Sequence, residues 1–330
     1  MSLLKDSFGR VVDDLRISIT DRCNFRCIYC MPAEGLPWLP KREILTFEEI
    51  VRIARIMVDL GVVTIRVTGG EPLVRQGVEE LVRMLAGLDP KVDLTMTTNG
   101  HLLARRAQAL AEAGLKRVNV SLDSLKPDRF ARMTRVEASA FDRVLEGLSA
   151  AAAAGLGPIK VNCVVMRGYN DDEVVDFATW ARATGYQVRF IEFMPLDGDN
   201  IWDMRLVVSA REILHRIHAV YPLEPVFQKT AEPATVYRFV DGQGAIGVIP
   251  SVTEPFCLSC NRIRLTADGQ LRTCLFSIKE HDIKALLRGG CTDEEIAAFI
   301  VQAVWGKEPG HLINRPGFVK PARTMAAIGG

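Results

Sequence analysis

The chain has 330 residues, a formal net charge of +1, and 25% charged residues spread along its length. That length suits one large domain or two modest ones with a sizeable core, and the near-neutral balance argues against a polybasic surface for nucleic acid or membrane. No apolar run reaches the length of a membrane span and the start, Met1-Ser-Leu-Leu-Lys-Asp, has no signal-peptide core, so a cytoplasmic protein is expected, with neither nucleic acid nor membrane as partner.

Leu15 to Thr20 alternates, sending Leu15, Ile17 and Ile19 to one face and Arg16, Ser18 and Thr20 to the other, as a first strand does. Directly after it, Cys23, Cys27 and Cys30 bring three thiols into one short loop. Three thiolates with no fourth ligand nearby suit a [4Fe–4S] cube with one iron open to chemistry. A structural zinc site is the other reading, and it would need a further ligand. Apolar positions over 46–60 recur at helical spacing behind Thr46, and Val62–Thr68 reads as a second strand ending in the turn Gly69-Gly-Glu-Pro72. The pattern continues with strands near 92–97, 117–122, 159–165 and 187–192 and helices over 102–113, 141–154, 171–184 and 209–220.

Six strand–helix units imply a parallel sheet and are too few to close an eight-stranded barrel. The expected architecture is α/β, an incomplete (βα)6 TIM-type barrel over residues 1–225, with a doubly wound open sheet as the alternative. Polar residues on one strand face, including Arg66, Thr97, Asn119, Ser121, Lys160 and Asn162, favour a curved sheet around a wet lumen. Beyond Pro222 two hairpins are expected, 234–240 with 245–249 and 263–266 with 270–273, then helices near 281–288 and 293–305. Residues 226–330 would form a partly antiparallel β and helical domain closing the open side of the barrel.

A second triplet, Cys257, Cys260 and Cys274, brackets Arg262 and Arg264, which strand alternation puts on one face. It could hold zinc with one ligand lacking, or a second cube. Two adjacent guanidiniums repel unless an anion lies between them, and with Arg16, Arg66, Lys160 and Arg189 on strands they point to a polyanion such as a nucleoside triphosphate. The other two cysteines, Cys163 and Cys291, read as buried small hydrophobes.

The Cys-x3-Cys-x2-Cys spacing with Tyr29 before Cys30 resembles the radical S-adenosylmethionine (SAM) superfamily. Together with Thr68-Gly-Gly-Glu-Pro-Leu, Thr98-Asn-Gly, Ser121-Leu-Asp, Arg189-Phe-Ile-Glu-Phe-Met-Pro195, Phe256-Cys-Leu-Ser-Cys-Asn-Arg-Ile-Arg-Leu-Thr, Leu271-Arg-Thr-Cys-Leu-Phe and the terminal Gly-Gly, it is similar to the GTP 3′,8-cyclase family of molybdenum cofactor biosynthesis. The resemblance implies that Cys23, Cys27 and Cys30 hold the SAM cluster, that Tyr29, Gly70, Ser121 and Met194 contact SAM, and that Cys257, Cys260 and Cys274 hold an auxiliary [4Fe–4S] cluster whose open iron takes the guanine ring. It further implies that Arg16, Arg66, Thr97, Lys160, Arg262 and Arg264 bind GTP, and that Arg262, Arg264, Gly329 and Gly330 serve catalysis, the tail reaching into the site. The implied reaction abstracts hydrogen from C3′ of GTP, joins C3′ to C8, and reduces the product radical. An electron-donor protein and cyclic pyranopterin monophosphate synthase, the next pathway enzyme, are the implied partners, with room for a homodimer. A radical SAM enzyme acting on a peptide would share the cysteines but need no paired arginines, and a redox-inert zinc-binding module would hold zinc with no iron or sulfide.

Overall fold

The structure, a computed structural model, describes residues 3–227, 231–313 and 315–329. Its first part runs β1 (Asp14–Ser18), α1 (Phe47–Asp59), β2 (Thr64–Thr68), α2 (Val78–Ala86), β3 (Asp93–Thr98), α3 (Ala107–Glu112), β4 (Arg117–Ser121), α4 (Pro127–Thr134), α5 (Ala140–Ala153), β5 (Lys160–Val165), α6 (Val174–Thr184), β6 (Gln187–Glu192) and α7 (Ala210–His218). The second part holds β7 (Leu223–Pro225), β8 (Thr235–Phe239), β9 (Ala245–Ile249), β10 (Arg262–Leu265), β11 (Gln270–Arg272), β12 (His281–Asp282), α8 (Ile283–Arg288), α9 (Asp293–Trp305) and α10 (Met325–Ile328).

Local chemistry accounts for the ends of these elements. Thr46 opens α1 with a reciprocal cap, its hydroxyl accepting from Glu49 N at 3.2 Å while the Glu49 carboxylate accepts from Thr46 N at 2.8 Å. Thr292 and Glu295 repeat the arrangement at α9. Leu15 and Ile17 on β1, and Ile65 and Val67 on β2, are fully buried in the main core cluster together with Ile50, Ile53 and Met57 of α1. The opposite strand faces carry the polar side chains, so the sheet has one dry face under helices and one wet face.

Among the described residues one twelve-stranded sheet runs β12-β11-β10-β1-β2-β3-β4-β5-β6-β9-β8-β7. From β1 to β6 each strand lies parallel beside its predecessor. A doubly wound sheet requires a reversal of strand order, and there is none here. The C-terminal part then extends both edges: β9 runs parallel to β6 and β10 parallel to β1, before the antiparallel strands take over. β9 and β10 do not pair among the described residues, so the barrel stays open and residues beyond 225 flank both sides of the gap.

Several details depart from the sequence reading. Helix α2, with buried Val78, Leu81, Val82 and Leu85, and the extra helix α4 were not expected. The 102–113 and 171–184 helices each begin with a 3-10 turn, and β12 takes His281 and Asp282, so α8 starts at Ile283. Cys163 is buried as expected, but Cys291 is only half-buried. It lies past the end of α8, where its carbonyl accepts from Arg52 Nη2 at 2.7 Å.

Candidate active site

The loop after β1 is braced from three directions. Its turn closes with Cys30 N and Met31 N donating to the Cys27 carbonyl at 2.9 and 3.0 Å, and Arg26 N and Ile28 N donate to Thr134 and Met133 of α4. The Gly-Gly-Glu-Pro turn backs it: Gly70 N donates to Thr20 O at 2.7 Å, and a Cβ on Gly70 would stand 2.4 Å from the Arg22 carbonyl oxygen. Only glycine permits that approach. From the C-terminal end, Ala326 lines the same cavity as Cys30, and its backbone N–H favours the Cys30 thiolate.

Two buried carboxyls adjoin this triplet. Glu71 accepts from Thr98 Oγ1 and Asn99 N, both at 2.7 Å, and from Leu73 N at 3.0 Å. Burial nevertheless pushes its pKa up to about 7. Asp123 accepts from the Tyr29 hydroxyl at 2.7 Å and from Val164 N at 2.9 Å, and burial pushes it up to about 6. Burial, followed by the Glu71 charge, raises Cys23 to about 11; burial, followed by Cys23, raises Cys30 to about 12. Burial and Asp123 likewise raise Cys27. These thiols hold their protons until a metal displaces them.

The second triplet sits on a hairpin. Cys257 opens a single 3-10 turn before β10 and Cys260 caps its end, and Cys274 follows β11, which pairs with β10 through Arg264–Arg272 and Leu265–Leu271. At Cys260, burial is outweighed by the charges of Arg262 and Lys307, and the thiol is drawn down to about 6. The Arg262 Nη2 donates to Cys260 Sγ at 3.5 Å, and its guanidinium lies 4.8 Å from the Phe256 ring centre.

Both triplets line the same cavity, of about 600 Å³, together with Tyr29, Gly70, Ser121, Met194, Arg16, Arg66, Thr97, Arg262 and Arg264. That volume is in the range of small-molecule sites, about 300–1,000 Å³. Strand register sets Arg264, Arg16, Arg66 and Thr95 side by side across β10, β1, β2 and β3. Burial, with the like charges of Arg264, Arg262 and Arg66, makes the charged form of Arg16 costly. Buried nitrogens of Arg16, Arg66 and Arg262 have no hydrogen-bond partner. Cations left unsatisfied at a cavity wall suit an anionic ligand with several oxygens.

Family comparisons agree with this geometry. Residues 17–181 match the family model of the Radical SAM superfamily and residues 186–313 that of Molybdenum Cofactor Synthesis C. The curated GTP 3′,8-cyclase of Streptomyces coelicolor is 50% identical over 99% of this chain and 96% of its own length. The one from Thermodesulfovibrio yellowstonii is also 50% identical, covering 99% of this chain and 100% of its own.

The chain belongs to the GTP 3′,8-cyclase family.

Among solved structures, SuiB of Streptococcus suis bound to SAM gives a TM-score of 0.59 at 14% identity, covering 83% of this chain and 64% of SuiB, a likeness of fold alone. As radical SAM proteins, members of the family work with SAM and an iron–sulfur cluster. Three half-buried thiols on the cavity wall, under a glycine turn with no room for a side chain, fit such a cluster. Among the described residues no three His, Cys, Asp or Glu groups gather around one point for a single ion. A cube takes each thiolate on a different iron and sets no such demand.

The remaining expected residues lie close by. Lys160 is set back from the cavity wall, 3.6 Å from Glu232, which also pairs with Arg189 at 2.7 Å. The Gly329 carbonyl accepts from Arg264 Nη1 at 2.7 Å, and a Cβ there, at φ +86°, would stand 2.7 Å from Ser18 Cβ. Gly330 lies outside the described residues. Sequence reasoning met Glu71 and Asn99 only inside motifs, took Asp123 only as a polar position at the end of a strand and inside a motif, and passed over Glu232 and Lys307 altogether. Glu232 and Lys307 sit in irregular segments with no periodicity to mark them.

Proposed function

We propose that this protein converts GTP to (8S)-3′,8-cyclo-7,8-dihydroguanosine 5′-triphosphate, the first step of molybdenum cofactor biosynthesis. The observation that carries the proposal is the shared cavity, with a cysteine triplet at either side and under-satisfied arginines between. With a cluster on Cys23, Cys27 and Cys30, SAM bound there supplies a 5′-deoxyadenosyl radical that abstracts hydrogen.

The chain's own residues do the rest. Gly70, by lacking a side chain, lets backbone approach the methionyl part of SAM, while Tyr29, Ser121 and Met194 line the space around it. Asp123 fixes the Tyr29 ring by accepting its hydroxyl at 2.7 Å. Cys257, Cys260 and Cys274 would hold the auxiliary [4Fe–4S] cluster, which would supply an open iron for the guanine ring. Arg16, Arg66, Lys160, Arg262 and Arg264 take the triphosphate, and Thr97 the ribose side of the pocket. Holding base and phosphates at opposite ends fixes one conformer, which an intramolecular C3′–C8 bond requires. Gly329, drawn in by Arg264, packs the tail against the site and keeps water out.

In this reading residues 1–225 form the radical-generating barrel and residues 226–330 the GTP-binding part. A reductant protein supplies electrons in the cytoplasm, and cyclic pyranopterin monophosphate synthase takes the product. Two cubes require about eight iron atoms per chain. Anaerobic reconstitution should give that count, falling by half when Cys257, Cys260 and Cys274 are replaced by alanine. An unchanged count in that variant would remove the auxiliary cluster from the account.

A further inference from the structure

The segment Lys307-Glu-Pro-Gly310 follows α9 and wraps the second triplet. Gly310 stands so close to Cys257 that a Cβ would lie 3.2 Å from the sulfur. Arg10, from the N-terminal segment, donates to the carbonyls of Cys257 at 2.8 Å and Glu308 at 2.6 Å. The Glu308 carboxylate accepts from the Thr273 hydroxyl at 2.7 Å. At the centre is Lys307, 4% exposed. Its ammonium donates to the Arg262 carbonyl at 2.9 Å and to the Thr273 carbonyl.

These two acceptors are informative. Arg262 lies two residues past Cys260, and Thr273 immediately precedes Cys274, so one ammonium ties the two cysteine-bearing segments together at their thiol ends. Both acceptors are neutral carbonyls, which take two of the three N–H groups and leave the charge uncompensated. A buried cation of that kind is costly unless negative charge lies near. Lys307 lies within electrostatic reach of Cys260 and Cys274, whereas carboxyls of Glu71 and Asp123 adjoin the first triplet. Arg262 adds a second cation, and Glu308, half-buried and on the Thr273 hydroxyl, offsets part of the field.

We propose that Lys307 is a positioning residue for the second triplet: it clamps the Cys260 and Cys274 segments and raises the reduction potential of the cluster they hold. The potential rises because a fixed positive charge in a poorly screened interior favours the more negative, reduced state of the cluster. The proposal rests on the reading that Cys257, Cys260 and Cys274 carry a [4Fe–4S] cluster, and the test separates the two.

The full chain with Cys23, Cys27 and Cys30 replaced by alanine leaves the second triplet as the cluster site. It is reconstituted anaerobically with Lys307 intact, as Lys307→Gln, which keeps an N–H donor without the charge, and as Lys307→Arg. Iron is counted, and the cluster's paramagnetic signal is titrated against applied potential. We expect about four iron atoms with Lys307 intact. Lys307→Gln should move the midpoint negative by at least a tenfold change in the oxidised-to-reduced ratio, 59 mV for one electron, and Lys307→Arg should restore most of it. A midpoint unchanged in Lys307→Gln overturns the electrostatic role. Should Lys307→Gln hold no iron, the Lys307→Met midpoint stands in its place under the same criterion, and loss of iron from both neutral variants but not from Lys307→Arg supports the clamp. A parent chain that binds no iron at the second triplet defeats the cluster reading itself.

Discussion

In the proposed reading, Lys160 is the residue whose protonation most directly links pH to GTP binding. Burial, then the charge of Arg189, lowers its pKa to about 8, against the opposing pull of Glu232. A phosphate beside it would raise that value, so binding takes up a proton once the free side chain is neutral. GTP affinity should therefore hold below pH 8 and fall above it, by up to roughly tenfold per pH unit. Calorimetric titration at pH 7 and pH 9 checks this, and Lys160→Arg should remove the dependence; the same dependence in that variant would assign it elsewhere. Arg264 poses a different test, since it touches Gly329 and stands in register with Arg16. A charge-assisted hydrogen bond contributes about 1.5–3 kcal/mol. Arg264→Ala or Arg262→Ala should lower GTP turnover roughly tenfold to a hundredfold while SAM cleavage by the reduced enzyme persists, as chromatography of 5′-deoxyadenosine would report. Equal loss of both reactions would contradict the roles given to these arginines. Such residues were legible because each stands on an alternating strand. Glu232 was not, for it reaches Arg189 and Lys160 from a loop far away in sequence, and a contact made only by tertiary folding leaves no local pattern.

At the level of elements, the cysteine loop depends on its neighbours more than on its own residues. Gly70→Ala would force a methyl into backbone atoms at 2.4 and 2.7 Å, atoms that cannot rotate away. Overpacking of this kind costs about 1–3 kcal/mol. Urea unfolding of the metal-free chain should show that loss, whereas Gly87→Ala, with its nearest atoms at 3.5 Å, should not. Equal stability for the two variants would mean that the turn does not brace the loop. Most elements were readable from periodicity, and the Thr46–Glu49 and Thr292–Glu295 caps mark two helix starts within a residue. Helix α4 escaped notice because polar Asp128, Arg129 and Arg132 outnumber its buried Phe130 and Met133. Strand β12 is two residues long, too short for any alternation to be seen.

The whole molecule is an open barrel whose two edges are extended by strands of the C-terminal part. The order β10-β1 on one edge and β6-β9 on the other could not be read from sequence, since nothing in a strand's own residues says which distant strand it joins. That pairing is what brings the second triplet to the first. The tail adds to the cavity wall: Ala326 lines it and Gly329 reaches Arg264. Deleting Gly329 and Gly330 should leave the iron content intact and suppress product; iron lost on truncation would make the tail a structural strut.

In the proposed reaction one chamber holds the radical source and the ribose of GTP together. The most direct test is incubation of the anaerobically reconstituted chain with SAM, a reductant and GTP deuterated at C3′, followed by mass analysis of both products. We expect deuterium in 5′-deoxyadenosine, alongside a new compound isomeric with unlabelled GTP, the lost deuterium being replaced by one electron from the reductant and one proton. Unlabelled 5′-deoxyadenosine beside unconsumed, fully labelled GTP would contradict the account.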